Sequence, residues 1–120
     1  DRGASGMGSP GGKPSRYTAC ARSHPTKCLP VMLECGRNNK TLLNDPLYIG
    51  LPSQRLRGEA YDELVEEFFL AVKEIFPKAC IQLEDFGNAN AFRLLNKYKD
   101  RACMCDHERE CTCGGARSCL

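Results

Sequence analysis

The sequence predicts a truncated, partial three-layer α/β domain with a parallel sheet, in the order strand, helix, strand, helix. An unstructured cysteine-rich tail follows. Three observations lead there. A strongly amphipathic segment occupies residues 58–76, a short alternating strand and a second amphipathic segment follow within 25 residues, and an apolar run precedes both at Leu29 to Cys35.

The elements follow in chain order. Residues 1–30 hold Gly3, Gly6, Gly8, Gly11 and Gly12 with Pro10, Pro14, Pro25 and Pro30. That density of breakers predicts loop with regular structure only in short pieces. Leu29 to Cys35 reads as a short buried strand. From Gly58 to Phe76 the residues Tyr61, Leu64, Val65, Phe68, Phe69, Val72, Ile75 and Phe76 recur at spacings of three and four, while Asp62, Glu63, Glu66 and Glu67 take the other face. This is a helix that stops near Pro77, and its acidic face is expected to be simply solvated. After it, Ile81 and Leu83 alternate through Ala79 to Glu84 as a strand. Asn88 to Lys99 is a second helix with Ala91, Phe92, Leu94, Leu95 and Tyr98 on one face and Asn88 as N-cap. Strands and helices in this alternation imply right-handed parallel crossovers.

Composition narrows the function classes. The chain has 120 residues, 27% of them charged, and a net charge of +2, which gives no global case for nucleic-acid binding. Lys and Arg outnumber acids nine to three over residues 1–57, whereas residues 58–75 carry six acids and one lysine. No window approaches the ~20 apolar residues of a membrane span. The chain starts at Asp1 without a secretory leader, which reads as a fragment or processed product.

Three motifs carry candidate chemistry. Gly6, Gly8 and Gly11 satisfy G-x-G-x-x-G, but too few residues precede Gly6 for the complete strand that a dinucleotide site needs, and Pro14 excludes a phosphate loop at Gly12 and Lys13. Glu84 and Asp85 are adjacent carboxylates at the carboxyl end of a strand, where open α/β sheets bind ligands. Successive strand side chains point to opposite faces, so the two converge on one ion only if the chain turns, and Phe86, Gly87 and Asn88 offer that turn. Hard oxygen ligands suit Mg²⁺ or Mn²⁺; a solvated strand end is the plain alternative. The tail holds Cys103, Cys105, His107, Cys111, Cys113 and Cys119, enough soft ligands for zinc, although its close pairs are C-x-C rather than the wider spacing that opens around a tetrahedral ion. Disulfides compete with that reading. Cys20, Cys28, Cys35 and Cys80 lie in segments that read as a reduced core, consistent with an intracellular compartment, whether cytosol, mitochondrion or plastid.

Longer blocks carry a family resemblance. Residues 44–51 (NDPLYIGL), 57–64 (RGEAYDEL) and 81–95 (IQLEDFGNANAFRLL), with 6–13 (GMGSPGGK), 17–20 (YTAC), 28–31 (CLPV) and 36–39 (GRNN), resemble malic enzyme over about residues 1–101. The resemblance implies a fragment of the N-terminal substrate and metal domain at 1–101, joined to an unrelated tail at 102–120. It implies oxidative decarboxylation of L-malate to pyruvate and CO₂ with Mg²⁺ or Mn²⁺ and NAD or NADP, and leaves a homo-oligomer open. Lys13 matches the family's general base, Glu84 and Asp85 two of three metal carboxylates, and Asn88 a residue near the nucleotide. A lysine serves as base only when its surroundings bring its pKa down from about 10.4 toward neutrality.

Departures from the family bear on activity. Ser9, Gly11, Pro14 and Arg16 stand where the family favours aliphatic residues, and the block that supplies the third metal carboxylate is replaced after Arg101. The isolated chain is therefore expected to be inactive. The competing expectation is a non-catalytic interaction module with a zinc-binding tail.

Overall fold

The computed structural model describes residues 3–106. It contains a helix α1 (Gly8–Ala21), a single turn α2 (Lys40–Leu43), a long helix α3 (Glu59–Ile75), a strand β1 (Ile81–Leu83), a helix α4 (Asn88–Tyr98) and a strand β2 (Met104–Asp106). Short 3-10 turns at Gly3–Gly6 and Pro25–Lys27 complete the list. The chain forms two compact units, residues 1–65 and 66–120, with the division inside α3.

In the second unit, β1 and β2 form a two-stranded parallel sheet, Ile81 opposite Met104 and Leu83 opposite Asp106. The connection between them is α4, so the unit is a β–α–β crossover. Its core is Phe69, Ile81, Leu83, Ala91, Leu94, Leu95, Tyr98 and Met104, all buried. The ring of Tyr98 stacks on Phe69 with centroids 4.1 Å apart and an interplanar angle of 21°, an arrangement worth about 0.5–1.5 kcal/mol beyond the area it buries. The predicted helices and the strand at 81–83 are present. Phe92, Ile75 and Phe76, which the periodicity places inward, are exposed.

The partner of β1 differs from expectation. Leu29 to Cys35 forms no strand and joins no sheet, and Leu29 is 68% exposed. An apolar run becomes a strand only when a neighbour pairs with its backbone, and here that pairing is limited to its end: Leu56 N–H donates to the Cys35 carbonyl at 2.8 Å and Arg37 N–H to the Ser53 carbonyl at 2.9 Å. The second strand comes from Met104 to Asp106, within the segment expected to be unstructured. Met104 is 1% exposed there, because parallel pairing with β1 satisfies its backbone and buries its side chain. The rest of the cysteine-rich tail, including His107, Cys111, Cys113 and Cys119, lies outside the described residues.

The first unit overturns a second expectation. Residues 8–21 form a 14-residue helix despite Pro10 and Pro14. Pro10 sits in the first turn, where a helical N–H has no partner to lose; Pro14 is interior and deletes one ladder bond. The helix ends at Arg22, whose φ of 56° turns the chain left-handed. There the N–H groups of Arg22 and Ser23 both donate to the Tyr17 carbonyl. Gly8, Gly11 and Gly12 have nothing within 4 Å of where a Cβ would stand, so they interrupt no packing in the helix. Gly36 is the opposite case: its φ is +78° and a Cβ would meet the Gln54 carbonyl oxygen at 2.5 Å, so only glycine fits.

Candidate functional site

Glu84 and Asp85 emerge from β1 directly after Leu83. Burial of Ile81 and Leu83 in the core holds the strand, and the next residues extend beyond it. Asp85 has a φ of +57°. The chain therefore turns left-handed at Asp85 itself, one residue earlier than the expected Phe86–Gly87–Asn88 turn. An aspartate tolerates that conformation better than most residues, at a cost of roughly 1–2 kcal/mol. The turn breaks the alternation that would send the two carboxylates to opposite faces. Glu84 is half-buried and its Oε2 accepts a hydrogen bond from Gln82 Nε2 at 3.2 Å; Asp85 is exposed.

Asn88 follows on the same loop as the first residue of α4, not its N-cap. Gly87 caps instead, in an extended conformation, and its carbonyl accepts from the N–H groups of Asn90 at 2.8 Å and Ala91 at 2.9 Å. Glycine is an acceptable N-cap because it enters the helix without strain, although it offers no side-chain acceptor. Glu84, Asp85 and Asn88 thus all fall in the segment 84–88 between β1 and the first turn of α4. Lys13 lies in the other unit, half-buried on α1. The G-x-G-x-x-G match falls across a 3-10 turn and the start of α1, without the strand-turn-helix context of a dinucleotide loop.

The donor set suits a hard divalent cation. Two adjacent carboxylates on a left-handed turn are oxygen ligands of the kind Mg²⁺ and Mn²⁺ take. Among the described residues no three His, Cys, Asp or Glu side chains are placed to hold one ion.

A residue that sequence reasoning assigned to solvent anchors α4. Glu66 Oε2 accepts from Tyr98 Oη at 2.7 Å and pairs with Lys97 Nζ at 2.9 Å, while its Oε1 meets Arg101 Nη1 at 2.9 Å. The hydrogen bonds from Lys97, Tyr98 and Arg101 draw the Glu66 carboxyl down to about 2. The same contact raises Lys97, and burial followed by the Glu66 bond raises Tyr98. The Arg101 guanidinium also stands 5.0 Å over the Phe69 ring. The available signal was long-range: four acids on one helix face, with Lys97, Tyr98 and Arg101 at and just past the end of another.

In the first unit, Arg37 is buried with its guanidinium 4.4 Å over the Tyr48 ring. Burial, together with the neighbouring Glu34 charge, raises the Cys35 thiol. Cys20, Cys28 and Cys35 are free thiols, whereas Cys103 and Cys105 are disulfide-bonded.

Residues 1–99 match the malic enzyme N-terminal domain family. The chain belongs to the malic enzyme family. It is 59% identical over 105 residues to the mitochondrial NADP-dependent malic enzyme of Mus musculus, covering 87% of this chain and 17% of that protein. It is 57% identical over 104 residues to the NADP-dependent malic enzyme of Columba livia, covering 86% and 19%. The NAD-dependent malic enzyme 2 of Photobacterium profundum is 50% identical over 103 residues, covering 86% and 18%. This malic enzyme chain thus spans less than a fifth of the length of these relatives. Among the described residues no helix is long and apolar enough to cross a membrane.

Proposed function

We propose that this chain is the substrate- and metal-binding portion of an oxidative decarboxylase that converts L-malate to pyruvate and CO₂. The observation that carries the reading is the carboxylate pair on its left-handed turn, in a chain whose residues 1–99 match the family. Glu84 and Asp85 would hold a Mg²⁺ or Mn²⁺ ion, and Asn88, beside them on the same loop, would approach the NAD or NADP. When bound, the cation supplies Lewis acidity at the C2 oxygen and the nucleotide accepts hydride from C2. Lys13 Nζ takes the proton from the C2 hydroxyl. Glu84, steadied by Gln82, orients the ligand set, and the turn at Asp85 delivers the second carboxylate.

Residues 1–101 act in this reading as the family portion and 102–120 as an addition to it. A cation held by two carboxylates binds weakly, so the isolated chain binds metal without turning substrate over. The alternative reading is a non-catalytic interaction module whose cysteine-rich tail binds zinc.

Titration with Mn²⁺, followed by the electron paramagnetic resonance of the free ion, tests the site. Weak binding that falls at least tenfold in both Glu84→Gln and Asp85→Asn is expected, with unchanged far-UV circular dichroism. Equal binding by all three proteins would remove the metal role. Stoichiometric zinc on the tail cysteines, with no effect of either carboxylate change, would favour the interaction module.

A further inference from the structure

Arg37 stands in the first unit with 1% of its surface exposed, and its guanidinium lies 4.4 Å over the Tyr48 ring. An arginine cannot shed its proton to escape burial, so a full positive charge sits inside. Its Nε and Nη2 are both enclosed and have no hydrogen-bond partner among the described residues. These two nitrogens share one edge of the guanidinium, the edge whose parallel N–H groups take both oxygens of a carboxylate. The contact with the Tyr48 ring engages the face of the group and leaves that edge unpaired. The Tyr48 hydroxyl is likewise buried and unpartnered among the described residues, and so is Oε1 of Glu34.

Two glycines hold these groups together. At Gly36 a positive φ turns the chain against the carbonyls of Ser53 and Gln54, and the next N–H, that of Arg37, donates to Ser53 at 2.9 Å. At Gly50 a Cβ would collide with the Tyr48 hydroxyl and stand 2.7 Å from Glu34 Oε2, so the absence of a side chain lets phenol and carboxylate approach the same point of the backbone. Glu34 Oε2 accepts from Ala4 N–H at 2.7 Å rather than from the Nε–Nη2 edge of Arg37. The buried cation thus keeps a fork of donors without an acceptor, an arrangement that a matching anion relieves.

We propose that the Nε–Nη2 edge of Arg37 binds a small free monocarboxylate, with the Tyr48 ring against the guanidinium face and its hydroxyl as a further donor. A planar anion with two oxygens on one carbon matches a planar fork. Glu34 sets the charge: a second carboxylate beside the Tyr48 hydroxyl disfavours a dianion such as sulfate. Entry runs through residues 47–51, which hold no helix or strand. Leu47 and Ile49 there are 85% and 76% exposed, so their side chains do little to hold the segment down. Its anchors are the bond at Ser53 and the one from Leu56 N–H to the Cys35 carbonyl at 2.8 Å. None of Lys13, Glu84 and Asp85 takes part, so this inference is independent of their proposed roles.

Nuclear magnetic resonance of the Arg37 Nε–H group in the full chain tests it, with sodium formate replacing sodium chloride at constant ionic strength. The resonance is assigned by its loss in Arg37→Lys. A saturable downfield shift is expected, with half-saturation in the millimolar range that suits so small a ligand. Sodium sulfate at the same ionic strength should move the resonance far less. Formate should also raise the melting temperature of the chain, and Arg37→Lys, which keeps the charge and loses the fork, should weaken that effect roughly tenfold or more. Tyr48→Phe keeps the ring and removes the hydroxyl; it should bind formate severalfold more weakly with unchanged far-UV circular dichroism. Should Arg37→Lys fail to fold, Tyr48→Phe supplies the assignment check, and the unsubstituted chain and that variant decide the matter. A resonance that formate leaves in place, a shift that sulfate reproduces or that never saturates, or equal affinity in Tyr48→Phe overturns the proposal.

Discussion

Lys13 and the Glu84–Asp85 pair are held by opposite means. The carboxylates leave a strand whose neighbours Leu94, Tyr98 and Met104 are each 1% exposed, and α4 is fastened to Glu66 through Lys97 and Tyr98, with Arg101 just past the helix adding a third contact. Lys13 rides on α1, which has no buried residue and carries a proline inside it. In the second unit, burial of apolar side chains fixes the backbone that presents the chemistry. In the first, individual hydrogen bonds do so: the cap at Arg22, and the link across 30 residues from Ala4 N–H to Glu34 Oε2 at 2.7 Å just before α1. The contrast teaches that a well-packed crossover tolerates a left-handed turn at its rim, whereas a helix without a buried face is at the mercy of each backbone bond.

The contrast breaks most visibly at Tyr98. Tyr98→Ala removes the stack on Phe69 and the bond to Glu66 together, and should cost about 3–5 kcal/mol in urea unfolding of the second unit. Tyr98→Phe keeps the stack and should cost only about 1 kcal/mol. A small loss for the alanine variant would mean that the core of this unit is not where its stability resides.

The first unit should respond in the other direction. Pro14→Ala restores an interior helical N–H and should stabilise α1 by up to about 3 kcal/mol, seen as added helical ellipticity and a higher melting temperature. Unchanged ellipticity would show that α1 is fixed by something other than its own ladder. Gly36→Ala should cost about 2 kcal/mol or more, since a Cβ meets the Gln54 carbonyl; Gly58→Ala, at a φ of +61° with open space around it, should cost about 1 kcal/mol.

The smallest effect is electrostatic. The Glu66 carboxyl is held at about 2, below its ordinary value of 4.5, so its contribution is complete above pH 4.5 and is lost as pH falls toward 2. Lys97 is raised, so its contribution persists to pH 10.5 and is lost only above that. Glu66→Gln should lower stability at neutral pH modestly, because the pair is partly exposed, and the two proteins should converge as pH falls from 4.5 toward 2, which flattens the variant's acid limb. An identical acid limb in the variant would assign that limb to other carboxylates.

Periodicity in the sequence was enough for α3, α4 and β1, because a helix or strand with one buried face writes that face into its own residue order. The family was legible as well, since the blocks that match it are long and ungapped. The carboxylate pair was legible as residues, and a turn beside it from Phe86, Gly87 and Asn88, but its left-handed start at Asp85 was not, because a left-handed aspartate leaves no local pattern. Three features needed the folded chain. Glu66 became an anchor only when Lys97, Tyr98 and Arg101 arrived from 31 to 35 positions away. Met104 to Asp106 became a strand only because β1 offered a parallel edge, and Leu29 to Cys35 did not because none was offered. The helix at Gly8–Ala21 formed where glycine and proline counts argued against it, because position within the helix, not number, sets what a proline costs. Local order follows from side-chain pattern along the chain; pairing, capping and ion contacts depend on which distant groups meet, and composition does not record that.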